Sequence, residues 1–374
     1  MRYLVGLAKQ GLPKMHRDGV FAHTARGVQT PSGRVIRLEG ENLRYATNVA
    51  LGLAFLPLAE QRQILDGSTA ADLAISTIVR AETVHDDPGA VALAAWAGAE
   101  AAGVHASSLF VRLEETFDAG VPLATVACAW TLIACMAARH LADTRRLSLM
   151  ARDRLLQGQG PGGLFPHMLP GGANGRLRAH VGSFADQVYS IQALSRLAVA
   201  EGDEEALTAA DACGGRICAL QGPAGQWWWH YDMRNGSVVE GYPVYSVHQH
   251  AMAPMALLDL REAGGTDHMD SVLRGVSWLD KHPETSDPLV SEKEHVIWRK
   301  AGRREPRKMV RSLAALTTAT RPGLLMPGVD VLFPPCKVDY ECRPYEFGWL
   351  LYAWLAGGVV QRLRSNATTS PDHG

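Results

Sequence analysis

The sequence predicts an all-α chain whose helices pair into hairpins and close into a ring, with loops or a small β-hairpin at the mouth. Three observations predict it. Apolar residues recur at helical spacing over segments too long for strands. Gly-, Pro- and Asp-rich breaks separate those segments. A local pattern also returns about every 50–60 residues, the mark of stacked supersecondary units. The chain has 374 residues, 47% of them hydrophobic, enough to bury a large core. Residues 1–364 read as one domain, and 365–374, without apolar periodicity, as a disordered tail.

The periodicity places helices at 45–57, 69–83, 89–103, 106–118, 122–141, 143–157, 184–201, 204–220, 244–263, 268–281 and 345–363, with shorter ones near 3–12 and 307–319. Asp66-Gly67-Ser68, Asp87-Pro88-Gly89 and Ala119-Gly120-Val121-Pro122 supply the stops and restarts. Each puts Gly where a helix ends, or Pro near a first turn where its missing N–H costs little. Asn235-Gly236 is a tight-turn pair. It predicts a hairpin of Trp229 to Asp232 against Val238 to Tyr242.

The segments beginning at 45, 89, 122, 184, 244 and 345 are expected to open six pairs. Four carry a Tyr-led pattern: Tyr45-Ala46-Thr47-Asn48, Tyr189-Ser190-Ile191-Gln192, Tyr245-Ser246-Val247-His248 and Tyr345-Glu346-Phe347-Gly348. This alignment sets His248 beside Asn48 and Gln192, polar positions pointing into the ring. After the partner helices, Gln157 leads to Gly163-Leu164-Phe165 as Gln221 leads to Gly225-Gln226-Trp227. Six such hairpins in a ring bury a continuous core between inner and outer helices and leave a central cavity.

On these residues the chain resembles the α/α-toroid group, which includes six-hairpin glycosidases, hexuronyl C5-epimerases, sugar 2-epimerases, terpene cyclases and protein prenyltransferase β subunits. The resemblance covers most of 45–363 and implies an (α/α)6 toroid. Gln221-x-x-x-Gly225-x-Trp227 resembles the Gln-Trp repeat of triterpene cyclases, which is structural there. The cyclase acid motifs are absent: there is no Asp-x-Asp-Asp, and Asp86-Asp87 runs into Pro88-Gly89. Gln187 to Leu194 and Gly241-Tyr242-Pro243-Val244-Tyr245 are loosely similar in style to the C5-epimerases.

Composition narrows the partners. A formal net charge of -1 without a basic patch argues against nucleic acid. No apolar run reaches about eighteen residues, so no membrane insertion is expected; Pro122 to Ala138 reads as a buried helix. The amino terminus lacks a secretory signal, which predicts a cytoplasmic protein. Six cysteines form no Cys-x-x-Cys pair. His248-x-His250 splays on a helix, and Asp211-x-Cys213 falls on an outer helix, so no metal and no cofactor are expected.

The densest chemistry lies between Gln226 and His250. Buried Tyr, His and carboxylates each need partners, so the stretch reads as a lined cavity. Trp227, Trp229, His230 and Tyr231 are expected to bind substrate, with His167 at the same place one repeat earlier. Gln192, Tyr189, Tyr45, Tyr345 and Glu346 follow from the inner-helix ends. For proton transfer the candidates are His248, Tyr245, Tyr242 and Glu240, with Arg343 or Arg44 holding a substrate carboxylate. A hydrolase would instead need two opposed acids. Asp186, Asp232, Glu240, Glu341 and Glu346 are the candidates, although acids in a first helical turn are by default caps. Arg44, Arg343, Glu41 and Glu346 are expected to form an ion-pair network at ring closure. The charged stretch Asp280 to Arg307 reads as a solvated loop or lid anchored by Trp298.

Stacking rings beside hydrogen-bonding and titratable groups suit a small-molecule or oligosaccharide substrate. The expected function is a carbohydrate-active enzyme, either a uronate-type epimerase or lyase or a glycoside hydrolase. An isoprenoid enzyme is the first alternative, and a non-catalytic binding or scaffold toroid the second.

Overall fold

A computed structural model describes residues 1–84, 86–306 and 309–365. Its helices run in chain order: α1 Arg2–Met15, α2 Leu43–Leu53, α3 Leu58–Ile64, α4 Ala70–Ala81, α5 Pro88–Ala102, α6 Ser107–Asp118, α7 Thr125–Ala138, α8 Arg145–Gly158, α9 Phe184–Glu201, α10 Glu204–Ala219, α11 Ala253–Ala263, α12 Met269–Lys281, α13 Met309–Thr320, α14 Val329–Leu332, α15 Pro344–Leu355 and α16 Val359–Ser365. The inner ring is α2, α5, α7, α9, α11 and α15, each packed on the next, and α15 closes onto α2. Outside them lie α4, α6, α8, α10 and α12, while α1 covers α15. Five of the inner helices therefore begin within three residues of the predicted places, and α11 follows a π-turn in the sixth. The expected tail, 365–374, lies outside the described residues except for Ser365, the last residue of α16.

Composition sorts the two layers. In α5 and α7 nearly every residue is buried, consistent with helices enclosed on all sides. On α4 only one stripe, Leu73, Ala74, Thr77, Ile78 and Ala81, is buried after the first residue. Caps fix the helix starts. Thr69 with Asp72, and Ser183 with Asp186, form capping boxes, satisfying N–H groups that no helical carbonyl reaches. Asp87 caps α5 with Pro88 in its first turn.

Two helices break where the periodicity gave one. Residues 345–363 divide at Gly357-Gly358 into α15 and α16. The predicted 244–263 helix opens with a π-turn, His248–Met252. Pro254 accounts for this, since it has no N–H to donate to His250. The freed His250 carbonyl instead accepts from the Trp354 indole at 2.7 Å.

A long hairpin that the helical periodicity does not predict pairs Val20–Thr30 with Gly33–Glu41, its register running from Ala22 opposite Glu41 to Thr30 opposite Gly33. The strand Glu341–Cys342 adds to it through Arg26 and Ala25. The sheet thus joins the first helix to the last inner helix. The predicted mouth hairpin is present as His230–Asp232 against Ser237–Glu240, with Val181–Ser183 as a third strand. The expected loop carries, within 280–306, the short strands Val290–Ser291, Val296–Ile297 and Lys300–Gly302, and Trp298 is buried among them, as an anchor is. Among the described residues, no helix is long and apolar enough to cross a membrane.

Candidate active site

Three loops, each leading from an outer helix, meet at the ring's mouth in equivalent positions. The N–H groups of Thr125, Phe184 and Ser246, at successive inner-helix starts, donate to the carbonyls of His167, Trp229 and Arg299 at 3.0, 2.9 and 2.9 Å. Four residues before each of these stands a positive-φ residue: Gly163 (78°), Gly225 (95°) and His295 (58°). Two residues before each lies a fully buried apolar side chain, Phe165, Trp227 or Ile297. The backbone therefore presents His167, Trp229 and Arg299 as counterparts.

Glutamines tie the repeats together. The Gln159 side-chain amide donates to the carbonyls of Gly163 and Ala209, at 3.0 and 2.9 Å. That of Gln221 donates to Gly225 and Ser271, at 3.0 and 2.8 Å. The expected counterpart of Gln221 is thus Gln159 and not Gln157. Next, the Gln187 side-chain carbonyl accepts from the Phe165 N–H at 2.8 Å, and that of Gln249 from the Trp227 N–H at 3.2 Å. This pairs Asp186 with His248 and corrects the Tyr-led alignment by six residues. Gln192 is therefore not the partner of His248; it is buried on α9 away from the mouth.

The resulting hub is a cavity of about 460 Å³ walled by Trp130, Tyr189, Tyr45, Tyr345, Phe184, Trp229 and Tyr245, with Arg44, Arg299, His167 and His248 among them. Its size suits a sugar-sized ligand. His167, Ser183 and Trp229 also line a second lobe of about 350 Å³ with Arg178, His230, Asn174 and Arg311. Tyr45 and Tyr345 stack with centroids 4.5 Å apart, Trp229 meets Tyr245 edge-on at 6.2 Å, and Tyr189 meets Trp130 at 5.0 Å. No Asp or Glu occurs among the described lining residues of either lobe.

The titratable groups differ by environment. His167, its side chain about half exposed, shares a hydrogen bond of 3.1 Å between Nδ1 and Asp186 Oδ2. That bond and the Asp186 charge push its pKa up against burial. His248 packs against Phe184 at 4.4 Å and Tyr245 at 5.0 Å. Burial lowers it to about 3, so it stays neutral near pH 7. His230 is held well below its ordinary value by burial first and then by Arg178 and Arg311. Tyr245 is pushed up by burial.

Several expected lining residues stand elsewhere. Trp227 and Tyr231 are buried in the core, Trp227 with its indole beside Gly275 and Tyr231 against Phe184. Asp232 is fully buried in a pair with Arg234, at 2.7 Å. Glu240 pairs with Arg303 at 3.1 Å. With Tyr242, whose hydroxyl donates to Glu284 at 3.2 Å, it faces a separate cleft of about 440 Å³ beneath α13 and α14. Asp186 caps α9 and reaches the hub only through His167. Arg343 stands behind Tyr45, donating to its hydroxyl at 2.6 Å and to Glu341 at 3.2 Å.

The expected four-residue ion-pair network does not form. Arg44 pairs with Asp87 and Glu41 with Arg80. Glu346 is fully buried, 3.9 Å from Arg299, with no hydrogen bond to either oxygen. Asp211 accepts from Thr266 while Cys213 is buried. No cluster of three metal-ligating side chains occurs among the described residues.

Arg299 was missed because its charge-rich surroundings read as solvated. One signal was present: Trp298-Arg299 follows Val296-Ile297 as Trp228-Trp229 follows Gln226-Trp227. His295 in place of the repeat glycine masked it.

No protein-family model matches this chain, and no curated protein does either. Solved structures match it in fold. An unsaturated glucuronyl hydrolase specific for heparin is 12% identical over 96% of each chain, with a TM-score of 0.60. A cellobiose 2-epimerase from Bacillus thermoamylovorans is 9% identical over 95% of this chain and 100% of the other, with a TM-score of 0.61. The unsaturated glucuronyl hydrolase of Bacillus sp. GL1 is 13% identical over 96% of each chain, at 0.55. The likeness is one of architecture, and the chain is an (α/α)6 toroid.

Proposed function

We propose that the hub is the active site of a carbohydrate-active enzyme that moves the proton α to the carboxylate of a uronate-containing saccharide, as an epimerase or lyase. The observation that carries this is the lining itself. Aromatic walls, arginines and His167 line it, with no carboxylate among its described lining residues; Asp186 stands buried behind His167. A glycoside hydrolase needs two opposed carboxyl groups at the scissile bond, and arginines are the groups that hold a substrate carboxylate. An isoprenoid would be served by an almost wholly apolar wall, which this is not. Sharing a fold with glucuronyl hydrolases and a cellobiose epimerase accords with a saccharide.

In this reading the sugar ring stacks on Trp229 and Tyr245, and Arg299 binds the carboxylate. Paired charge stabilises the enediolate that forms when the adjacent C–H loses its proton. His167, made more basic by its hydrogen bond to Asp186 and the Asp186 charge, takes that proton. Tyr245 and neutral His248, on the next inner helix, face the sugar from another side. Proton transfer from the Tyr245 hydroxyl to the carbanion inverts the centre; if that proton goes instead to the oxygen β to the carboxylate, the C–O bond breaks, the oxygen leaves as an alcohol and the unsaturated product remains.

The test is solvent exchange. Uronate oligosaccharides incubated with the protein in D2O should gain deuterium at C5, read by mass spectrometry and NMR. His167→Gln should slow this about 10²–10⁴-fold while leaving saccharide binding within a few-fold. Exchange that proceeds undiminished in the variant would remove the proposed role, and bond hydrolysis without exchange would remove the reaction class.

A further inference from the structure

The second lobe of the hub has a feature that the proton-transfer chemistry does not use. Arg178 and Arg311 both line it, beside His167, His230 and Asn174. Neither arginine has an ion pair or a side-chain hydrogen bond among the described residues. Other partly buried arginines of this chain do: Arg152 pairs with Asp203, Arg299 with Glu341, and Arg303 with Glu240. Two like charges directed into one lobe, with no carboxylate lining it, oppose each other and the neighbouring imidazoles. The strain shows in both directions: burial and then Arg311 lower Arg178, while burial and then Arg178 and Arg311 lower His230. An anion between them would offset the repulsion among these cations.

Position defines what the anion belongs to. The Arg311 guanidinium stands over the Trp229 ring at 5.0 Å, and that of Arg299 over the Tyr245 ring at 5.1 Å. Those two rings meet at 6.2 Å. Two adjoining rings, set edge to face, therefore each carry a guanidinium. Arg311 reaches the lobe from α13, so the lobe is completed by an element outside the ring.

We propose that the hub takes a saccharide bearing two anionic groups. Arg299 receives the uronate carboxylate, and Arg178 with Arg311 receives a second carboxylate or sulfate ester on the adjoining residue. This rests on the reading of the hub as a uronate site and names its substrate class more narrowly.

Calorimetric titration of the full chain tests it with four disaccharides: neutral, one uronate, one uronate plus a second carboxylate, and one uronate plus a sulfate ester on the neighbour. A second anion should tighten binding tenfold or more, and whichever anion gains more identifies the source. The Arg178→Gln/Arg311→Gln double variant should erase that gain and leave the one-uronate ligand within about twofold. Arg311→Glu should turn the gain into a loss, and a thermal melt confirms that each variant is folded. A gain that survives the double variant, or no gain in the unaltered protein while the one-uronate ligand still binds, overturns the second site alone. If the neutral disaccharide binds as tightly as the uronates, or no disaccharide binds, the uronate reading falls and takes this proposal with it.

Discussion

At the residue scale, the hub depends on buried groups whose charge state is set by what surrounds them. Glu346 is the sharpest case. Burial raises its carboxyl from 4.5 to about 8, with Arg299 and Arg343 only partly opposing. Between those values the folded chain keeps a proton that the unfolded chain has lost, so this group's contribution to stability falls as pH rises through the window. Its neutral form also leaves more of the Arg299 charge available to a ligand. Removing the titration should be visible. In urea denaturation from pH 5 to 8, Glu346→Gln should lose the downward slope, the variant gaining on the parent by roughly 1 kcal/mol per pH unit. Parallel profiles would contradict a buried proton at this site. His248 has the opposite sign, since its folded value is depressed to about 3; its contribution is present above about pH 6.5 and lost as pH falls below that.

At the scale of elements, stability comes from side chains that complete the backbone of a neighbouring repeat. Gln221 donates both to its own loop at Gly225 and to Ser271 on α12. Replacing it with Met keeps the length and strands two carbonyls that are partly shielded from water. We expect a loss of about 1–3 kcal/mol in chemical denaturation, and a change within about 0.3 kcal/mol would mean that water replaces the amide freely. These ties also explain what was legible in the sequence. Helix periods, caps and the Asn235-Gly236 turn act within a few residues of themselves, so the inner-helix starts and the mouth hairpin could be read directly. The repeat register could not. It is fixed by Gln187 and Gln249, whose partners lie 22 residues upstream, whereas Tyr189 and Tyr245 only look alike. The hairpin of Val20–Thr30 and Gly33–Glu41 was hidden differently. Its strands interleave Arg, Thr and Gly with apolar residues, and its last partner, Cys342, lies at the far end of the chain.

At the scale of the molecule, six hairpins must close while leaving the mouth open, and the opposite end supplies the closure. Arg196 lies roughly 18 Å along α9 from its hub end, at 1.5 Å per residue, and is 1% exposed. It donates to Asp259 on α11 at 2.8 Å, to Glu100 on α5 at 3.1 Å and to the Tyr352 hydroxyl on α15 at 2.6 Å. The Trp96 indole also reaches Glu100, at 2.8 Å. Four inner helices thus share one cation. Arg196→Leu would leave the largely buried Glu100 and Asp259 without their shared cation, a change that costs up to about 3–5 kcal/mol when a buried pair loses one member. The melting temperature should fall accordingly. Because the knot is far from the mouth, saccharide binding per folded molecule should hold within a few-fold. Binding that fails while the fold stays intact would show that the knot transmits strain to the hub, and the ring would then act as a single mechanical unit, not as a closed base beneath an independent site.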